Sequence, residues 1–490
     1  VNTSRIEIDL GAIDHNVRTL RACARAGARA QGVDERSIRF CGVIKQDAYG
    51  TGAARVARRL AGLNSAGASS GGGVDMLAVY CLTEARALVE TPMSTPVLVL
   101  MPVSGFDRND PLYRLAVRDR LHLVVHSVEH AHQLIDLGAK LGLTLPVHLQ
   151  VDVGMSRGGC LPDEATALLE LIASSPRLTL AGLMTHFSSP GSDATFTREQ
   201  AHLFRSWIDS IKPRLAAIAR ERSAKGLSPV TVHLANTCAT LRSHTLHGTM
   251  VRVGQGMLGY GPEAFSEDDA PEFQAAAAQL RPAVRWLSRV VHLHTIPAGW
   301  PVGYDRTFVA RRPSVIAVVP AGYADGYPRL LGNRAYVRLT GLSAERARTS
   351  GPLDDLAPET GRPGVFAPVV GRVSMDQLTI DVTDVPEALR AVGMEVELVG
   401  TDPQAPNHLP LLAALAETIT HEMLCRVSPH LERTYVASAP LPAPAEDAPI
   451  EFPPHVQQLR ALAESADSPI ARVSPVQAGA VMRPARAAGA

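Results

Sequence analysis

Net charge is the first thing this chain lacks: 48 Lys and Arg offset 48 Asp and Glu, leaving 490 residues formally neutral. With no dense Lys or Arg run either, there is no electrostatic footprint for nucleic acid or an anionic membrane. A small-molecule partner is the better reading. No apolar run approaches the roughly 20 residues that a membrane-spanning helix needs, and the first residues contain no signal-peptide core. The six cysteines (Cys23, Cys41, Cys81, Cys160, Cys238 and Cys425) are scattered without a CxxC pair. Neither a metal site nor a dense disulfide framework is indicated, and the thiols read as reduced, in a cytoplasmic enzyme.

What is present is a hydrophobic fraction of 46%, enough over this length for a large core divided among two or more domains. Short β-rich runs alternate with helical patterns, at 40–44, 76–80, 97–101, 121–125, 147–151, 178–184, 230–234 and 250–253. Eight such runs close a parallel (β/α)8 TIM-type barrel. Between the sixth and seventh runs, Leu203, Trp207 and Ile211 recur at helical spacing, predicting a helix over 198–222. After Arg281 the texture turns Val-rich, with strands expected at 283–296, 314–319, 335–340, 365–370, 378–382 and 394–399 and one helix at 409–426. The expected organisation is an α/β barrel over 5–280, a mainly β C-terminal domain over 281–436, and an Ala- and Pro-rich, disordered tail over 437–490. The segments 62–73 and 341–364, polar and rich in Gly, Ser or Pro, read as surface loops.

Barrel active sites lie at the C-terminal ends of the strands. Lys45 follows the first run, Arg157 the fifth, His186 the sixth, Asn236 and Thr237 the seventh, and Arg252 and Gly254 the eighth. Residues scattered along the chain would therefore meet at one mouth. Lys45 ends an apolar strand and enters a turn with Tyr49 four residues on, a setting that suits an amine holding an aldehyde cofactor.

The stretch Val43-Ile44-Lys45-Gln46-Asp47-Ala48-Tyr49-Gly50 closely resembles the pyridoxal-phosphate lysine motif of alanine racemases. The likeness continues in order through Asp152-Val153-Gly154-Met155-Ser156-Arg157, Met184-Thr185-His186-Phe187, His233-Leu234-Ala235-Asn236-Thr237 and Val251-Arg252-Val253-Gly254. It extends beyond the barrel to Val302-Gly303-Tyr304, to the run Gly322 to Arg329, and to Val370-Gly371-Arg372-Val373-Ser374-Met375-Asp376. The chain is similar to this fold-type III racemase family from about Arg5 to Tyr435.

The resemblance implies a pyridoxal 5'-phosphate enzyme that interconverts L- and D-alanine for peptidoglycan. Lys45 would hold the cofactor and act as one base, and Tyr304 of a neighbouring subunit would be the other, in a homodimer with shared sites. His186 would help the phenol ionise, through positive charge or a hydrogen bond. Arg252 would face the pyridine nitrogen, where a group that keeps its proton favours fast proton return over transamination. Tyr49, Thr237, Gly254 and Gln255 would cradle the phosphate. Arg157 would hold both the cofactor's phenolic oxygen and the substrate carboxylate, Met375 and Asp376 would meet the substrate, and Tyr323 would stand at the entrance.

Two positions depart from the family pattern. Gln150 stands where a modified lysine often orients the arginine, so Arg157 is expected to be oriented by the Gln150 amide or by an anion. His421 stands where a tyrosine usually crowds both phosphate and substrate, which suggests room for a side chain such as serine's. The rival readings are a broader or serine-preferring racemase, a barrel-fold amino-acid decarboxylase, and a non-catalytic pyridoxal-phosphate carrier. Decarboxylases of this plan place a carboxylate where Arg252 stands, and a carrier would not need the second domain.

Overall fold

The computed structural model describes residues 4–30, 34–62, 73–262, 271–342 and 365–437, with Gly32 and Phe265 besides. The expected tail and most of both expected loops lie outside the described residues. By contact the chain forms two compact units, the first built from the residues up to Ser288 with 399–403 and the stretch from Leu424, the second from 289–398 with 404–423.

In the first unit, β1 (Arg5–Asp9) leads into a helix, Leu10–Ala30, and then into eight strands. These are β2 (Arg39–Val43), β3 (Met76–Val79), β4 (Val97–Val99), β5 (Leu121–Val125), β6 (Leu145–Gln150), β7 (Leu178–Met184), β8 (Thr231–His233) and β9 (Met250–Val253). All neighbours are parallel, in the order β8-β7-β6-β5-β4-β3-β2-β9. The remaining seam, between β8 and β9, is stitched by single bonds, Thr249 N–H to the Val232 carbonyl (2.7 Å) and Arg252 N–H to the Ala235 carbonyl (2.9 Å). All eight expected barrel strands are present. Alternate positions face one cluster, with Cys41, Val43, Met76, Ala78, Leu98, Val124, Met184 and Met250 packed together. That parity also defines the inward set to which Arg252 belongs.

The helix expected at 198–222 is two helices, Ala194–Ser210 and Lys212–Ala224. Pro213 explains the break: it has no N–H to continue the ladder and its ring clashes with the preceding turn. Asp193 caps the first helix through the N–H of Phe196 (2.8 Å). The unit is completed by β10 (Val284–Arg289), antiparallel to β1, and by the C-terminal β19 (Glu432–Val436), parallel to β1.

The second unit is mainly β. The run expected at 283–296 ends as one strand at Arg289 and resumes as β11 (His292–Ile296), which pairs with β14 (Ser314–Val319), and β14 with β17 (Leu378–Asp381). A two-stranded ribbon joins β12 (Pro301–Val302) to β13 (Phe308–Val309). A further ladder places β15 (Tyr336–Leu342) between β16 (Val365–Pro368) and β18 (Met394–Val399). The helix expected at 409–426 is also two, Leu409–Leu415 and Thr420–Cys425, because Glu417 takes a left-handed φ of 57° between them. No helix among the described residues is long and apolar enough to cross a membrane.

Candidate active site

Lys45 stands at the end of β2, and the four residues after it, Gln46 to Tyr49, form a left-handed turn with φ from 52° to 59°. For L-residues this costs roughly 1–2 kcal/mol each, so neighbours must hold it. The holding bonds are Ala48 N–H to the Ile44 carbonyl (2.9 Å), Gln46 N–H to Glu84 Oε1 (2.8 Å) and Ala53 N–H to Asp47 Oδ1 (2.7 Å). Burial, and then the Arg157 guanidinium, hold the Lys45 ε-amine below the ordinary lysine range. An amine shifted in that direction is a better nucleophile and base at neutral pH.

Tyr49 is buried, and burial pushes its phenol above the usual range, so it remains a hydrogen-bond donor. Its hydroxyl occupies the space that a Cβ at Gly254 would fill. That close approach is why glycine stands there. Thr237 Oγ1 accepts from the N–H groups of Gly254 (3.2 Å) and Gly256 (3.3 Å). With both acceptor positions used, its own O–H is left to donate elsewhere. Gln255 opens the 3-10 turn Gln255–Leu258, and among the described residues its N–H has no protein acceptor. These donors, clustered without side-chain bulk, fit a phosphate group.

Arg252 is fully buried inside the barrel mouth, and burial lowers its guanidinium to about 10, which leaves it protonated at neutral pH. One terminal nitrogen donates to the His233 carbonyl (2.8 Å) and His233 Nδ1 (3.0 Å). The other donates to the carbonyls of Thr185 (2.8 Å) and Leu234 (3.3 Å) and to His186 Nδ1 (3.2 Å). Among the described residues, the Nε–H is the one donor of Arg252 without a protein acceptor, and it suits an aromatic nitrogen acceptor. His186 is held down to about 3 by burial and then by the charges of Arg252, Arg157 and Lys45. It is therefore neutral, and the expected alternative of a positive neighbour gives way to that of a hydrogen-bond donor: Nδ1 accepts from Arg252, so Nε2 bears the proton.

Arg157 is exposed on the loop after β6. The Gln150 amide donates to the Gly158 carbonyl (2.7 Å), not to the guanidinium, so it braces the loop through its backbone. Three residues that belong here had no role assigned from the sequence. Cys425 lies close enough to exchange electrostatic effects with Lys45 and Tyr49, and His148 and His233 continue the network behind Arg252. Only the motif around His233 marked any of them in the sequence.

The remaining candidates belong to the second unit. Tyr304 is 67% exposed, Met375 55% and Tyr323 43%. Their loops are tied together: Tyr323 N–H donates to the Ser374 carbonyl (3.1 Å), Ala324 N–H to the Met375 carbonyl (2.9 Å), and Arg372 pairs with Asp305 (2.7 Å). Asp376 is exposed beside Met375, and His421 is half-buried in the helix Thr420–Cys425. Among the described residues, no cluster of three His, Cys, Asp or Glu could hold a metal ion.

The family model for the alanine racemase N-terminal domain matches residues 8–262, and that for the C-terminal domain matches residues 283–435. The alanine racemase of Syntrophobacter fumaroxidans is 32% identical over 425 residues, covering 86% of this chain and 95% of that protein. The alanine racemase of Cutibacterium acnes is 32% identical over 432 residues, covering 88% and 96%. Among solved structures, the alanine racemase from Streptomyces coelicolor A3(2) superposes with a TM-score of 0.68 at 26% identity, covering 89% of this chain and 98% of that one. The biosynthetic alanine racemase from Pseudomonas aeruginosa gives 0.66 at 28% identity, covering 89% and 100%.

Proposed function

This chain belongs to the alanine racemase family of isomerases, and we propose that it interconverts L- and D-alanine with pyridoxal 5'-phosphate held at Lys45, supplying D-alanine for peptidoglycan in the cytoplasm. The observation that carries the reading is the pairing of a buried Arg252, protonated at neutral pH, with a depressed Lys45 around one neutral histidine, His186. When bound, the cofactor supplies an electron sink that acidifies the substrate α-carbon.

Each residue then has a defined task. Tyr49, Thr237 and the Gln255 amide hold the phosphate beside Gly254. Arg252 donates through Nε to the ring nitrogen and, as a fixed cation, does not pass its proton on. Lys45 moves the α-proton on one face. Tyr304 of a second copy moves it on the other, with His186 Nε2–H donating to the phenol oxygen. Arg157 and the backbone at Met375, with Asp376 alongside, bind the substrate carboxylate, and Tyr323 and His421 bound the space for its side chain. The exposure of Tyr304, Met375 and Tyr323 on one set of joined loops supports a homodimer in which each barrel, 5–280, is completed by the partner's β domain, 281–436.

The decisive experiment incubates the protein with L-alanine in deuterium oxide and follows chirality and α-deuterium together. Deuterated D-alanine supports the proposal, and borohydride reduction should fix the cofactor on the peptide that contains Lys45. Release of CO2 from lysine, ornithine or diaminopimelate would instead favour the decarboxylase reading.

Gly254→Ala should drive the Tyr49 hydroxyl from its place. Overpacking of this kind destabilises by roughly 1–3 kcal/mol, and cofactor affinity, read by absorbance titration, should fall at least about tenfold, as expected for one lost charge-assisted hydrogen bond. An unchanged affinity would remove Tyr49 from the phosphate site. His421 tests breadth: His421→Tyr should sharpen the preference for L-alanine over L-serine, and a wild-type preference already as steep would end the serine proposal.

A further inference from the structure

TIM-barrel interiors are filled mainly by branched apolar side chains, yet this one contains a line of imidazoles. His233 Nε2 lies 2.9 Å from His148 Nδ1, and His148 Nε2 lies 3.0 Å from His122 Nδ1. The direction of every bond follows from the Arg252 end. A guanidinium only donates, so His233 Nδ1 must accept (3.0 Å), which puts the proton of a neutral His233 on Nε2. That proton goes to His148 Nδ1, and His148 Nε2–H goes to His122 Nδ1, which leaves the proton of a neutral His122 on its own Nε2. Burial, reinforced by charges including Arg252, holds His148 and His233 well below their ordinary pKa, so the rings stay neutral.

The strands are shaped around this line. His148 on β6 reaches across β7 to His233 on β8, and the residue it crosses is Gly182, its partner in the β6–β7 register. A Cβ at Gly182 would overlap the His148 ring, with Cε1 at 2.8 Å, and would also meet Thr231 Oγ1 at 2.7 Å. The β6–β7 register shifts next to His148, between Val147 and His148, leaving Ala181 unpaired. Two local departures from regular strand sequence and pairing thus fall where the imidazole must pass.

We propose that His122, His148 and His233 form a one-directional tautomer chain that fixes the orientation of Arg252, and that His148 is a positioning residue for the reaction. The catalytic part rests on the role of Arg252 given under Proposed function; the tautomer assignment does not. In each ring the acceptor nitrogen, the negative end of the dipole, faces the guanidinium side, so the line favours the cation that burial opposes. If His148 cannot accept, the His233 Nε2 proton is stranded. The ring is then driven to the other tautomer, whose Nδ1–H opposes an Arg252 N–H.

The test uses the full chain with cofactor bound and histidine labelled with 15N. Long-range 1H–15N correlation should find His122, His148 and His233 neutral and protonated at Nε2; an Nδ1–H form of His233 overturns the chain whatever the enzyme turns over. His148→Leu should lower kcat by roughly ten- to a hundredfold, the scale of a lost hydrogen bond to a charged group, with KM for alanine changed less than about threefold, the pattern of an interaction felt only in the transition state. His148→Gln, whose amide can accept from His233 and donate to His122, should recover most of that loss. Equal kcat for the Leu and Gln variants overturns the positioning role. Gly182→Ala, which blocks the ring without removing it, should reproduce the His148→Leu kinetics and the change at His233; if it leaves both unchanged, the chain is not what holds Arg252. A wild-type protein with the expected tautomers but no racemisation would reject the proposed function and leave the tautomer chain standing.

Discussion

A Tyr304→Phe protein should melt at the wild-type temperature and lose racemisation by about 10³-fold, within the range for removing a general acid–base group. The stability half follows from exposure: at 67% exposed, Tyr304 adds little to the core, and surface substitutions of this kind usually stay within about 0.5 kcal/mol. The kinetic half follows from stereochemistry. Inversion needs a proton donor on the face opposite the one that gave up the proton, and a phenylalanine supplies none. Lys45 is untouched, so one enantiomer should still exchange its α-hydrogen with deuterium oxide while keeping its configuration. Proton NMR for exchange and chiral chromatography for inversion separate the two. Exchange and inversion lost in the same proportion, or inversion unimpaired, would reject the phenol as the second base.

The barrel was legible because its strands are short apolar runs separated by helices, and five of the eight lead to polar residues that the parallel order carries to the same rim. Lys45, His186, Thr237 and Arg252 could be placed at that rim from strand order alone. The pairing of β1 with β19 could not, because Arg5 meets Glu432 across almost the whole chain, and the five-residue strand Arg5–Asp9 alternates charge with isoleucine in a way that gives no long-range partner. The two long helices failed at Pro213 and at Glu417. The first break was written in the sequence; the second is a left-handed backbone at a glutamate, which composition does not announce. His148 and His122 were hidden for another reason. A histidine within a strand reads as packing until the glycine and the shifted register beside it are placed in space.

The same geometry makes Arg252→Glu the most damaging single change at the rim. Arg252 supplies donors to three carbonyls and two imidazole nitrogens, with no water to replace it in a fully buried position. A glutamate there faces acceptors alone, and burial would force it to be protonated, leaving one donor for five acceptors. Breaking a buried charged network typically costs roughly 3–5 kcal/mol, so thermal unfolding should begin well below the wild-type temperature. The surviving folded enzyme should racemise at least about 10²-fold more slowly, the scale of losing one preorganised electrostatic donor. A carboxylic acid also has a proton to give to the ring nitrogen, where the guanidinium withholds its own. Transamination per turnover, read as pyruvate formed from alanine, should therefore rise relative to racemisation. Unfolding alone cannot produce that change of ratio, because it removes both activities together. A ratio unchanged from wild type, with the variant folded and loaded with cofactor, would mean that Arg252 does not face the nitrogen.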